Sequence, residues 1–180
     1  MESQRTKVLA ELETAFPKRR IRSERAFAEW GATYPDAEPY MQQLEGKTWD
    51  QLDPAYAVRR SDALGFLSTK HLVEVLPVYL RSLVEDGISS PAAGVLTQIL
   101  TRPAPGKDTG LGTARFKALV DALTGSQRTA IASALHLFSD MDPGGSLGRA
   151  ARYAFDSEWK RFLTGPDAPP ETRDGRAKKT

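Results

Sequence analysis

The sequence predicts an all-α fold, and three observations support this prediction. Apolar residues recur at steps of three and four through most of the 180 residues, which is the spacing of one buried helix face. Serine, threonine or aspartate precedes most of these stretches and glycine or proline follows them, as at helix ends. No alternating pattern of useful length predicts a strand, although a short hairpin in the first sixty residues stays open. We expect a single-domain, irregular bundle of about seven to eight helices over residues 1–165.

The first third of the chain predicts short helices joined by tight turns, because proline and glycine interrupt the helical spacing there. The predicted elements are a helix over residues 4–16, one from Ser23 through Trp30, one from Pro39 to Gly46, a segment that follows Thr48, and a helix that starts at Pro54 with Asp53 as its N-cap.

The strongest helix signal follows Ser68. Five large apolar residues fall there on one face, namely Leu72, Leu76, Tyr79, Leu80 and Leu83. Pro77 lies inside this pattern, where proline removes one backbone donor and clashes with the carbonyl of Val73. We therefore expect the helix to be kinked at Pro77 rather than to end there, and to stop at Gly87.

The second half of the chain predicts four more helices and one long loop. The helices begin at Ser90-Pro91, Thr113, Thr124 and Ser146. Thr124 and Gln127 fit the capping box, in which a hydroxyl and an amide satisfy two backbone donors reciprocally. The loop covers residues 102–112, and the polar composition of residues 166–180 predicts a disordered tail.

The composition excludes several kinds of chemistry. The chain has no cysteine, no asparagine and only two histidines, so thiolate zinc sites, iron–sulfur ligation, cysteine nucleophiles and three-histidine metal sites are ruled out. We accordingly expect no metal and no cofactor. The net charge of +2 disfavours nucleic acid as the principal partner. The sequence shows no pattern of a signal peptide or a membrane span, so we expect a cytoplasmic protein.

The two histidines are the candidates for acid–base chemistry. His71 lies three residues before Glu74, and His136 lies four residues before Asp140, so each imidazole can meet a carboxylate across one helical turn. Such a pair can orient a general base. A small hydrolase-type enzyme that uses His71 or His136 is therefore the alternative function. Structural or surface histidines give the same spacing, and neither pair comes with an evident nucleophile, so we assign no catalytic residue.

Three weaker motifs have simpler explanations. Residues 157–160 spell S-x-x-K, but the other elements of penicillin-recognising enzymes are missing. Gly106-Lys107 resembles a phosphate-binding loop, but Asp108 stands where a hydroxyl should bind magnesium. Residues 140–145 resemble half of an EF-hand loop that has lost two anionic ligands. We interpret the three motifs as a solvated helix face, a surface loop and a helix connection.

The stretch between residues 34 and 56 is the candidate partner-binding surface, and we call it the acidic-aromatic segment. Its candidate residues are Tyr34, Asp36, Glu38, Glu45, Trp49, Asp50, Asp53 and Tyr56. Aromatic groups beside carboxylates are typical of a protein surface that faces a basic partner. Core packing of the aromatic rings and an ordinary solvated acidic face explain the same pattern.

Several blocks of the sequence stand out together. They are GKTWDQL at residues 46–52, ALGFLSTKHLVEVLPVYL at residues 63–80 and LVDALTGSQRTAIASAL at residues 119–135. The chain resembles a family of small bacterial proteins filed as a domain of unknown function. The resemblance lies in the order of four blocks: a Trp segment, a Phe-Leu-Ser/Thr step, Leu-Pro-x-Tyr-Leu and Leu-Thr-x-x-Gln-x-x-Ala-Ile. The resemblance covers about residues 8–163 and implies a helical fold, but it assigns no catalytic residue. Family members look like small accessory and immunity-type proteins, which is an analogy.

These observations favour a non-enzymatic function in protein binding. The most concrete form is an immunity-type protein that neutralises a bacterial toxin by covering its active site. An acidic surface would speed the capture of a basic toxin such as a nuclease. The basic cluster from Lys18 to Arg22 leaves association with nucleic acid as a third possibility, which predicts a steep salt dependence of binding.

Overall fold

The computed structural model confirms the all-α prediction. It describes residues 2–22, 27, 36–104 and 112–164, with the backbone alone at Tyr56, and the statements below refer to these residues. Within them there is no strand, and seven of the nine α-helices have seven or more residues. The helices are α1 (Glu2–Ala15), α2 (Ala37–Leu44), α3 (Pro54–Arg59), α4 (Thr69–Asp86), α5 (Ala93–Ile99), α6 (Gly112–Ala122), α7 (Gly125–Met141), α8 (Ser146–Ala154) and α9 (Arg161–Thr164).

Helices α4 and α7 form the centre of the molecule. Helix α4 packs against α1, α3, α6 and α7, and α7 also packs against α1, α8 and α9. Eleven residues of α4 are buried, and the buried apolar side chains of the described residues form one continuous core. Each large apolar side chain in such a core contributes about 1.5–3 kcal/mol by leaving water. The domain is therefore organised around these two helices.

The predicted helix start after Ser68 and the predicted capping box at Thr124 are confirmed. The Ser68 hydroxyl accepts a hydrogen bond from the His71 amide at the start of α4, at 3.4 Å. At the start of α7, the Gln127 amide donates to the Thr124 hydroxyl at 3.2 Å, and the Thr124 amide donates to the Gln127 side chain at 2.9 Å. These bonds satisfy backbone donors that a helix N-terminus otherwise leaves unpaired.

Helix α4 continues through Pro77 without ending. Its C-terminus is at Gly87, as predicted, where φ is +59°, a left-handed conformation that only glycine adopts without strain. Helix α2 begins at Ala37, two residues before the predicted start at Pro39. Proline is tolerated in the first turn because the amide that it lacks would have no partner within the helix.

The last predicted helix is interrupted, which the periodicity did not indicate. A π turn over Phe155–Trp159 separates α8 from α9, and the Lys160 amide donates to the Phe155 carbonyl at 2.8 Å. Trp159 is fully buried, and its Nε1 donates to the carbonyl of Leu100 at 2.7 Å. We attribute the wide turn to this contact, because an extra residue in the turn changes the direction of the side chains that follow it.

Some predictions fall outside the described residues. These are most of the helix predicted from Ser23 through Trp30, most of the loop at 102–112 with Lys107, and the tail at 166–180. Among the described helices, none is long and apolar enough to cross a membrane.

Candidate functional site

Two carboxylates of the acidic-aromatic segment are neutralised by cations from elsewhere in the chain. Asp36 forms an ion pair with Arg60, and Asp50 lies 2.9 Å from the Nζ atom of Lys18. Lys18 comes from the connection after α1, which lies far from Asp50 in sequence. The surface of this segment is therefore less acidic than the local composition indicates.

The pair of Asp50 and Lys18 shifts the pKa values of both groups. The pKa of Asp50 is lowered from its ordinary value of 3.8, first by a hydrogen bond from the Thr48 hydroxyl and then by a hydrogen bond from Lys18. The pKa of Lys18 is raised from 10.5, first by its hydrogen bond to Asp50. Both side chains are at the surface, so solvent weakens their attraction.

Trp49 is buried, with only 3% of its surface exposed. Its Nε1 donates to the carbonyl of Phe16 at 3.0 Å, and the Nζ atom of Lys18 lies 5.9 Å from the ring centroid. This hydrogen bond connects the turn at residues 49–51 to the end of α1. Trp49 supports the surface from below rather than projecting from it.

The other residues of the acidic-aromatic segment have separate positions. Glu38 and Glu45 are exposed on and just after α2. Asp53 is exposed and accepts a hydrogen bond from the Ala55 amide at 2.9 Å, so it caps α3 as predicted. Tyr34 and the side chain of Tyr56 lie outside the part of the chain that the structure describes.

A cleft of about 620 Å³ lies beside the acidic-aromatic segment. It opens between the end of α1, the turn at Trp49, the first half of α4 and the junction of α6 with α7. Phe16, Trp49 and Val73 give it apolar walls, and the capping residues Thr124 and Gln127 lie at its edge. Its volume falls in the range of about 300–1,000 Å³ that is usual for ligand pockets.

Long-range contacts hold the walls of this cleft in place. The Trp49 bond to Phe16 fixes one wall. Arg128 donates through Nε to the Val120 carbonyl at 2.9 Å and so fixes the junction of α6 with α7. Arg115 of α6 donates to the backbone carbonyl of Leu67, just before α4. The cleft is thus part of the folded framework of the protein.

Glu74 is a candidate functional residue that the sequence indicated only as a possible partner of His71. It lines the cleft together with the exposed cations Arg19 and Lys70. Its Oε2 atom is buried and has no hydrogen-bond partner among the described residues. A buried carboxylate oxygen to which no protein group donates a hydrogen bond is costly. The only sequence signal for Glu74 was its spacing from His71.

His71 does not pair with Glu74. The ring is buried, its Nδ1 lies 2.6 Å from the Ser68 hydroxyl, and its Nε2 lies 2.6 Å from the backbone carbonyl of Arg22. A carbonyl only accepts hydrogen bonds, so Nε2 carries a proton and donates it. Both ring nitrogens are used to connect the start of α4 to the segment after α1. His71 therefore has a structural role.

His136 does form the predicted pair with its carboxylate. Its Nδ1 lies 2.9 Å from Oδ2 of Asp140, and the other oxygen of Asp140 accepts from Arg152 at 2.5 Å. The imidazole packs edge-on against Phe155, with 4.9 Å between the ring centroids. The pair borders a shallow hollow of about 150 Å³ that is also lined by Ser133. Ser133 is a hydroxyl that the sequence analysis overlooked, although it lies one helical turn before His136.

Two of the weaker motifs lie in the described residues and do not assemble into sites, and Gly106-Lys107 lies outside the described residues. Ser157 donates to the Ala154 carbonyl at 3.1 Å, whereas Lys160 pairs with Asp156 at 3.6 Å. Asp142 accepts from the Gly148 amide at 3.1 Å and so stabilises the turn between α7 and α8. In the part of the chain that the structure describes, no three acidic, histidine or cysteine side chains come together as a metal site.

Comparisons with protein-family models, curated proteins and solved structures find no match for this chain. The site must therefore be interpreted from its own geometry.

Proposed function

We propose that this protein is a non-enzymatic binding protein and that it holds a segment of a partner protein in the cleft between α1, α4 and the α6–α7 junction. The observation that carries the proposal is the cleft itself, about 620 Å³ in volume, with Phe16 and Trp49 in its walls and hydroxyl groups at its edge. A concave site with apolar walls and a few polar groups is typical of pockets that bind a ligand or a segment of a partner.

The acidic-aromatic segment extends this site. Trp49 lines the cleft, and Asp50 follows it as an exposed residue on the adjoining surface. Glu38, Glu45 and Asp53 are also exposed. A partner that occupies the cleft and also reaches these exposed carboxylates would be a basic one, and their charge would speed its association.

For the biological role we propose an immunity-type protein that neutralises a bacterial toxin. The support is the combination of the cleft with the exposed carboxylates of the acidic-aromatic segment. The direct test is to express the reading frame next to this one. We expect that expression of the neighbouring reading frame arrests growth, that this protein relieves the arrest, and that its cleft variants do not. Arrest that the cleft variants relieve equally well would refute the role for the cleft.

The binding function can be tested by photo-cross-linking at the cleft. Benzoylphenylalanine placed at Ala122, an exposed residue that lines the cleft, should give a discrete adduct with one protein in cells of the source organism. The matched control is the same group at Tyr153, which is 56% exposed on α8 outside the cleft. The Asp50→Lys/Asp53→Lys double variant should weaken the adduct, more so at low salt. The same adducts from both positions, or none from Ala122, would contradict the proposal.

A hydrolase centred on His136 is the second candidate, because one observation favours it. Asp140 accepts a hydrogen bond from Nδ1 of His136 and so orients the ring, which is the arrangement that positions a histidine as a general base. Ser133 supplies a hydroxyl in the same hollow. The hollow is about one quarter of the volume of the cleft, about 150 against about 620 Å³, and so encloses much less of a substrate.

Hydrolysis of p-nitrophenyl acetate tests this second candidate. If the site is catalytic, both His136→Gln and Ser133→Ala should reduce the rate by about 10²-fold or more. A rate equal to that of free imidazole, or one that His136→Gln leaves unchanged, would exclude it. Thermal unfolding of the two variants serves as the control, since both residues are only partly buried.

A further inference from the structure

We infer that the cleft selects a polypeptide segment that carries an arginine or lysine side chain, and that Glu74 is the residue that receives this cation. The inference rests on the proposed binding function and adds the chemistry of the segment that is bound.

The first step is the state of the Glu74 carboxylate. Its Oε2 atom is buried without a hydrogen-bond partner, and Glu74 takes part in none of the ion pairs among the described residues. Glu74 as a whole is partly buried, but a carboxylate oxygen that is out of contact with solvent normally has a partner. A cation that enters the cleft and pairs with Glu74 would compensate this charge.

The second step is the shape and apolar character of the surroundings. Phe16, Trp49 and Val73 line the same cleft. Arginine and lysine have aliphatic stems that pack on apolar surface while their charged ends reach a polar partner. A basic side chain therefore matches both features of the cleft, whereas a small inorganic cation would leave most of its volume and its apolar walls unused.

The third step concerns the two cations at the cleft. Arg19 and Lys70 are exposed and line it together with Glu74. They would repel a segment that carries positive charge alone. They would attract an acidic residue next to the inserted one. The segment that fits best therefore has a basic residue with an acidic neighbour.

The hydroxyl and amide groups at the edge suit a polypeptide rather than a free amine. Thr124, Ser126 and Gln127 line the cleft at the start of α7. The capping box uses the backbone amides of Thr124 and Gln127, but the hydroxyl and amide side chains have further donor and acceptor capacity. Such groups can form hydrogen bonds with the peptide backbone of a bound segment.

Selection from a phage-displayed library of random heptapeptides tests the inference. Four forms of the full chain are immobilised: the wild type, Glu74→Gln, Glu11→Gln and Ala122→Trp. The tryptophan at position 122 fills the cleft from an exposed position. Glu11 is the matched control, since its Oε2 is also buried without a partner but it borders the other hollow. Circular dichroism and thermal unfolding establish that each variant is folded before it is used.

Peptides bound by the wild type and by Glu11→Gln should be enriched several-fold in arginine or lysine. Peptides bound by Glu74→Gln should show no such enrichment, and Ala122→Trp should bind few peptides. In the best synthetic peptide, replacing arginine by citrulline or lysine by norleucine should weaken binding about tenfold or more, as expected for a charge-assisted hydrogen bond.

The two proposals fail in different ways. Peptides that need an open cleft but show no basic enrichment, or the same enrichment with Glu74→Gln, would overturn the role of Glu74 and leave the binding function intact. Recovery of no peptides, or of the same peptides by Ala122→Trp, would overturn both.

Discussion

The Glu74→Met substitution should stabilise the protein, although it removes the proposed binding group. An unpaired buried carboxylate oxygen costs about 1–3 kcal/mol, and we take the lower end because Glu74 as a whole is only partly buried. Methionine has similar volume and a similar helix propensity. We therefore expect a gain of about 1 kcal/mol in the free energy of unfolding, and a rise in Tm of about 3 °C for a chain of this length.

Chemical denaturation and differential scanning calorimetry measure this effect. The control is Lys70→Met, which introduces the same side chain at an exposed position of the same helix and cleft. That control should stay within about 0.5 kcal/mol of the wild type. If Glu74→Met is neutral or destabilising, or if Lys70→Met stabilises equally, the gain does not come from removing an uncompensated carboxylate. The charge of Glu74 would then not be available for a ligand.

The remaining predictions concern the framework of the fold. Ser68→Ala should lower the free energy of unfolding by about 2 kcal/mol, because it removes the cap of α4 and leaves Nδ1 of His71 without its partner. Thr124→Ala removes only a cap and should lower it by about 1 kcal/mol. Equal losses for the two variants in urea denaturation would contradict the role of His71. Because the pKa of Asp50 is lowered and that of Lys18 is raised, the stabilisation by their pair should be present between about pH 4 and pH 10 and be lost as the pH falls through the lowered pKa or rises through the raised one. In NMR titrations Thr48→Val should return the pKa of Asp50 toward 3.8 by more than Lys18→Met does, and the reverse order would be inconsistent with the Thr48 bond as the main cause. Gly148→Ala should cost about 3 kcal/mol or more, because its methyl group would overlap the backbone carbonyl of Asp142, whereas Gly144→Ala, with open space around it, should change the melting temperature little.

The elements that the sequence predicted best have local signals. Ser68, Asp53 and Thr124 each cap a helix through a hydrogen bond to a residue two or three positions later. Because helix starts depend on such short-range bonds, they can be recognised from neighbouring residues in the sequence. The end of α4 at Gly87 is equally local, because it depends on one left-handed residue. The buried face of α4 follows from its spacing alone.

The elements that the sequence missed depend on distant contacts. The π turn is associated with the bond from Trp159 to Leu100, 59 residues away. The neutralisation of Asp50 requires Lys18, and the cleft requires residues from α1, α4, α6 and α7. No window of neighbouring residues contains such information. For the same reason Glu74 was considered only as a partner for His71, whose ring nitrogens are used by Ser68 and the backbone.

The cleft and the hollow at His136 differ in how their polar groups are already used. At the hollow, Asp140 has both oxygens occupied, one by His136 and one by Arg152, so the protein itself satisfies the strongest acceptor there. Glu11 also borders the hollow with a buried Oε2 atom that has no partner in the described part of the chain, but its Oε1 atom pairs with Lys7 at 3.8 Å. At the cleft, Glu74 has a buried oxygen that no described residue satisfies, and none of the ion pairs among the described residues includes it. Folding alone gains nothing from such a group, because its desolvation is uncompensated. A binding partner can supply the missing compensation, and natural proteins carry destabilising groups of this kind chiefly where function requires them. This asymmetry, together with the fourfold larger volume, is why the cleft rather than the imidazole carries the proposed function.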